Sequence, residues 1–218
     1  MLKTIFLIAI LTMPLCAQSQ LPNVQLDVNG TQIYTEGEII GDQRGIGFTL
    51  SKRIARKALL KIEVDRFRKQ AANLEKVYPE FPDTAIRREW FDERRNLWTI
   101  EFAFIRTVSF ARNTFFNVGG GLVYGGLDES WQGGEEKREF DFDTDHYFGA
   151  VLELEVLITT SDIFPAACRF GFSHKFLAHP VIARTYAASS GGRAYGTGAP
   201  EKLTTTEFSL SIGWVISR

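Results

Sequence analysis

Residues 58–67, ALLKIEVDRF, alternate Leu60, Ile62 and Val64 with Lys61, Glu63 and Asp65. Neighbouring side chains of a β-strand point to opposite faces, so one face of this stretch carries three apolar groups and the other three ions. The fold turns on which face meets water. With the ions in bulk solvent the stretch belongs to an ordinary soluble sheet, and with the ions in a closed interior the apolar face must look at lipid.

Working outward, the same alternation recurs. Val24, Leu26 and Val28 interleave with Gln25, Asp27 and Asn29, and Ile46, Phe48 and Leu50 with Gly47, Thr49 and Ser51. After the 58–67 stretch come Trp98, Ile100, Phe102 and Phe104, then Phe116, Val118, Leu122 and Tyr124, then Phe148 to Ile158 in steps of two. Ala166, Cys168, Phe170 and Phe172 form a seventh segment, and Phe208, Leu210, Ile212, Trp214 and Ile216 an eighth. Each segment holds the roughly ten residues that cross a bilayer obliquely, and eight is an even number, as an up-and-down barrel with both termini on one side requires. The connections alternate too. Those near 55–57, 108–113 and 160–165 are short, whereas 69–96, 127–145 and 178–202 are long and polar, with 35–43 grouped among the outer ones. Short turns on one side and long loops on the other are the habit of outer-membrane barrels. A competing pattern puts Ile54, Ala58, Leu59, Ile62, Phe67, Ala71 and Leu74 near helical spacing, so a partial helix over 58–76 is the alternative there.

The composition sets limits. The 218 residues are 44% hydrophobic and 23% charged, enough for one domain, and 25 basic against 26 acidic residues gives no basic excess of the kind that nucleic-acid binding uses. The start, MLKTIFLIAILTMPLCAQSQ, places Lys3 before an apolar run from Ile5 to Leu15, the pattern of a secretory signal. The expected organisation is a signal peptide over 1–19, cleaved after Ala17 or Ser19, and a barrel domain over 20–218. Pro14 and Leu15 before Cys16 disfavour lipoprotein processing. The mature chain then keeps Cys168 alone, so no intramolecular disulfide supports it.

The face opposite the apolar one is rich in Gly and Ser and carries ions of both signs. An eight-stranded barrel has an interior just wide enough for side chains to fill, and small residues with compensated charges suit it. We therefore expect an all-β, eight-stranded antiparallel up-and-down transmembrane barrel with lipid outside and a hydrated or salt-bridged lumen. The expected lumen ions are Lys61, Glu63, Asp65, Glu101, Glu153, Glu155, Arg169 and Lys175, because buried charges must be paired. Trp98, Tyr124, Tyr147 and Trp214 are the expected aromatics of the membrane interfaces.

No catalytic, cofactor or metal site is expected. Ser173 and His174 are adjacent in a strand and so point apart, poor geometry for a nucleophile and its base. Glu153 and Glu155 share a face but suit ion pairing better than acid–base work, and the DFDTD run beginning at 141 lacks the glycine and glutamate of a calcium loop. A diffusion channel is disfavoured by the narrow lumen.

The closing TEFSLSIGWVISR, with the secretory start and the eight segments, resembles the small outer-membrane barrels of Bacteroidetes-type bacteria, although it ends in Ile216, Ser217 and Arg218 rather than an aromatic residue. LPNVQLDVNG, FFNVGGGLVYGG and YFGAVLELEVLITTSD resemble the conjugative-transposon TraO family. That resemblance implies a non-enzymatic outer-membrane component of a DNA-transfer apparatus, in contact with outer-membrane lipid and partner proteins and not with nucleic acid. The alternatives are a free-standing structural or adhesion barrel of the OmpA or OmpX type and, third, a lipid-modifying barrel enzyme.

Overall fold

The alternating segments pair side by side until the last meets the first. In the computed structural model of the chain, residues 21–35, 43–81, 86–111, 113–134, 138–141, 144–159, 166–178, 187–188, 193–194 and 202–217 are described. The signal segment, Cys16 and His179 lie outside them. Eight strands form a ring: β1 (Val24–Thr35), β2 (Gln43–Ala55), β3 (Ala58–Phe81), β4 (Ile86–Ala111), β5 (Thr114–Gly133), β6 (Asp145–Thr159), β7 (Ala166–Ala178) and β8 (Lys202–Ser217). Each is antiparallel to the next, and β8 closes on β1 with Leu26 opposite Trp214 and Asp27 opposite Gly213. Three short pieces accompany the ring. Arg138–Asp141 pairs with β5, Ala187–Ala188 with Arg138–Asp141, and Arg193–Ala194 with the end of β3.

Across the ring even-numbered side chains face outward and odd-numbered ones inward. The result is inverted relative to a water-soluble protein. Ile46, Phe48, Phe102, Leu122, Phe148, Leu152, Ile212 and Trp214 are each more than half exposed on the outer wall, while Lys61, Arg169 and Lys175 are buried inside. Full burial of one such apolar side chain is worth about 1.5–3 kcal/mol, so a continuous belt of them calls for an apolar surrounding. No described helix is long and apolar enough to cross a membrane; the strands are the elements that carry the belt.

One end of the ring has tight connections. Arg56 and Lys57 link β2 to β3, and Asn113, in the left-handed region at φ 62°, closes the turn from β4 to β5 while its carbonyl accepts a hydrogen bond from the Thr159 amide at 2.8 Å.

At the other end the structure departs from the expected loops. Residues 69–96 are not one long loop. The ladder between β3 and β4 continues from Lys69 opposite Arg95 to Pro79 opposite Ile86, with a register shift between Ala71 and Leu74. β5 likewise runs on to Gly133 within the expected loop 127–145, and the partial helix over 58–76 is strand throughout. The physical reason is that backbone hydrogen bonding does not need an apolar face. Once the strands rise past the belt, polar residues on both sides hide the alternation without breaking the pairing. β3 and β4, 24 and 26 residues long, therefore stand well above the 12-residue β1 and 13-residue β2.

Candidate functional site

The odd-numbered side chains fill the barrel in three levels. At the tight-turn end Leu21, Leu59, Ala103, Ile105, Phe115, Leu157, Ala167 and Val215 form an apolar cluster. Toward the other end Ile33, Phe67, Leu97, Val123, Leu127, Tyr147, Val151 and Leu177 form a second. The ions lie between the two.

Lys61 on β3 is the hub of the lower ionic group. Its Nζ is 2.9 Å from Glu63 Oε2 and 3.0 Å from Glu155 Oε1, and it also pairs with Glu153. Arg169 on β7 donates to Ser51 Oγ at 2.9 Å, meets Asp27 Oδ2 at 2.9 Å and reaches Glu155 Oε1 at 3.4 Å. Neutral groups add to these contacts: Thr49 donates to the same Glu63 Oε2 at 3.0 Å, and Asn117 to the other oxygen of Glu155, Oε2, at 3.2 Å. In the upper group Lys175 on β7 pairs with Glu101, with Glu207 Oε2 at 2.8 Å and with Asp65 Oδ2 at 3.8 Å, and donates to Thr99 Oγ1 at 3.2 Å. Its Nζ also lies 5.8 Å from the Phe67 ring centroid, where the ionic level gives way to the apolar one.

All eight lumen ions expected from sequence thus point inward and meet one another. Asp27 and Glu207 belong with them and are absent from that expectation, although their odd parity, shared with Gln25 and Asn29 and with Thr205 and Ser211, is a usable signal. Glu63, Asp65 and Glu101 each bring one carboxylate oxygen within 4.8 Å of the others, a spacing a cation could bridge. Lys175 already stands beside two of them.

Two expectations need correction. The lumen is not polar throughout: its two ends are apolar, because stretches such as AVLELEVLI place aliphatic residues on both faces and only parity separates Leu157 inside from Val156 outside. Tyr147 is not an interface aromatic. It is 1% exposed inside the barrel, since its neighbours His146 and Phe148 take the outward positions. Trp98, Tyr124 and Trp214 do face outward. Trp98 lies edge-on to Tyr124, with centroids 5.5 Å apart, and Tyr124 stacks on His146 and hydrogen-bonds its Nδ1 at 2.8 Å. Gly126, opposite Trp98, leaves room for the indole to lie over the β5 backbone.

The histidines offer no catalytic grouping among the described residues. His174 Nδ1 lies 2.9 Å from Thr206 Oγ1 on the outer side, and Ser173 takes the inward position beside it. In the DFDTD run Thr144 donates to Asp128 at 2.6 Å and Asp145 is buried. Above the upper apolar cluster Phe91, Trp131 and Phe140 pack together, Phe91 and Phe140 with centroids 5.5 Å apart, so the extension of β4 and β5 and the strand Arg138–Asp141 share a small core. Arg95 pairs there with Glu93 and reaches Glu129 at 3.4 Å.

No protein-family model and no curated protein matches the sequence. Solved structures are similar in fold. A major outer membrane protein from Thermus thermophilus superposes with a TM-score of 0.54 at 9% identity, over 88% of this chain and 99% of that one. The outer membrane protein OprG from Pseudomonas aeruginosa gives 0.53 at 11%, over 90% and 97%, and Neisserial surface protein A gives 0.50 at 11%, over 88% and 96%.

Proposed function

We propose that this chain spans the bacterial outer membrane as a free-standing, non-enzymatic barrel, with its tight turns toward the periplasm, and that it acts through the surface raised beyond the bilayer by β3, β4 and β5. The observation that carries this reading is the inversion of polarity: an apolar belt outside and ions enclosed between two apolar clusters inside. Such a filled interior suits neither a channel nor a site that must admit substrate. It leaves the outer wall and the extension as the surfaces available to other molecules.

The fold likeness to outer-membrane proteins favours the free-standing reading over membership of a conjugative DNA-transfer apparatus, which rests on short segments such as FFNVGGGLVYGG. Two measurements test the proposal. The purified chain should need surfactant to stay in solution and should insert into phospholipid vesicles; a native monomer in plain buffer would sink it. Pull-down of the tagged chain from native membranes should recover it without transfer proteins, and a stoichiometric transfer subunit in the eluate would restore the other role.

A further inference from the structure

Four outward-facing arginines stand together where the apolar belt ends. Arg44 on β2 lies directly opposite Arg68 on β3, Arg66 is two residues along β3 and opposite Trp98, and Arg94 on β4 is opposite Gln70, diagonal to Arg68. All four are exposed. Side chains directly opposite on one face of an antiparallel pair have Cβ atoms about 4.5–5.5 Å apart, and like charges there repel. Among the described residues no ion pair of Arg44, Arg66 or Arg68 answers this repulsion, and Arg94 reaches the neutral Gln132 Oε1 at 3.5 Å. Two carboxylates border the cluster on the Arg94 side, Asp128, diagonal to Arg94 and hydrogen-bonded by Thr144, and Asp92, two residues along β4, whereas none stands beside Arg44, Arg66 or Arg68 among the described residues.

From the level of Arg66 toward the middle of the belt run Ile46, Phe48, Val64 and Phe102, all exposed and apolar. A cationic cluster bordering an apolar wall matches a ligand with an anionic head and acyl tails. We infer that Arg44, Arg66, Arg68 and Arg94 bind the phosphate groups of a phosphorylated glycolipid of the outer leaflet, whose chains lie along Ile46, Phe48, Val64 and Phe102. Guanidinium forks suit phosphate oxygens bidentately, and an anion between Arg44 and Arg68 turns their repulsion into shared attraction. The inference rests on the proposed orientation, with the tight turns in the periplasm.

The test uses the full chain refolded in detergent and bisphosphorylated lipid A as probe, with retention measured by native mass spectrometry. The wild type should hold lipid A, and dephosphorylated lipid A should be lost. R44Q/R66Q/R68Q/R94Q should weaken retention on the order of a thousandfold. K52Q/R56Q/K57Q/R106Q, which removes exposed cations at the tight-turn end, should leave it unchanged. Folding of each variant is checked by its heat-modifiable gel mobility, and R44Q/R68Q serves if the fourfold variant does not fold. Equal retention by the arginine variant, equal loss in the tight-turn variant, equal binding of dephosphorylated lipid, or displacement by millimolar inorganic phosphate would each overturn the inference. Failure of the wild type to insert into neutral phosphatidylcholine vesicles, read without lipid A, would instead overturn the membrane reading beneath it.

Discussion

Asp27 and Arg169 meet at 2.9 Å although their strands are not neighbours. β8 runs between β1 and β7, and where the two side chains join across it, β8 presents Gly213 opposite Asp27. A Cβ at Gly213 would run into the Asp27 carboxylate and the Leu26 carbonyl, so the glycine is what lets the bridge cross the closing strand.

Replacing Gly213 with valine should therefore push Asp27 off Arg169. We expect about 1–3 kcal/mol of destabilisation from overpacking, seen as a lower urea midpoint for unfolding from vesicles. Gly30, whose added Cβ would meet only the Leu210 carbonyl at 3.8 Å, should tolerate alanine with little change.

Removing a hub cation should cost more than removing a satellite. Arg169→Met strips Asp27 and Glu155 of a partner, and Lys175→Met strips Glu101, Glu207 and Asp65. Breaking a buried pair from one side costs roughly 3–5 kcal/mol, so both variants should fold poorly in urea titrations. Thr99→Val, which loses one hydrogen bond donated by the Lys175 ammonium and leaves its ion pairs in place, should cost less, about 1.5–3 kcal/mol.

Reconstituted into planar bilayers, the wild type should pass no stepwise ionic current. Phe67→Ala should remain silent as well, because the cluster of Leu59, Ile105, Phe115 and Leu157 still closes the other end. The same variant should lose about 3–5 kcal/mol of stability through the cavity it leaves. Discrete channel openings in the wild type would show that the interior is open.

On the outer wall, Phe102→Arg should destabilise by about 2–4 kcal/mol, the cost of a cation near the bilayer midplane, measured by folding into vesicles. Phe102→Leu should be nearly neutral. If both changes were neutral, Phe102 would be facing water.

Period-two alternation suffices to find all eight ring strands and to assign Leu60, Phe102 or Trp214 to the outer wall, because at membrane depth the two faces differ sharply in polarity. It fails where that contrast fades. In the extension Glu93, Arg95 and Leu97 point inward and Asp92, Arg94 and Asn96 outward, a mixture that resembles a loop, so the readable pattern stops well short of where β3 ends and β4 begins. Inside the barrel, Val151 and Leu157 sit among apolar residues of both parities, and residue type alone cannot sort them. Tyr147 misleads for the opposite reason: its amphipathic ring suggests an interface, yet position counting from Glu153 and Glu155 turns it inward. The pairings themselves are not legible, since Lys61 with Glu155 joins residues 94 apart.

That separation has a consequence for how the molecule comes into being. The ionic level draws Asp27 from the first strand, Lys61 from the third, Glu155 from the sixth, Lys175 from the seventh and Glu207 from the last, so its pairs form only where distant strands face one another across the barrel. A chain lacking its final strand would leave Asp27 on β1 and Arg169 on β7 at the two open edges of the sheet, with no strand between them for the bridge to cross. The last strand is thus the latch that brings these two edges, and the charges they carry, within reach of one another.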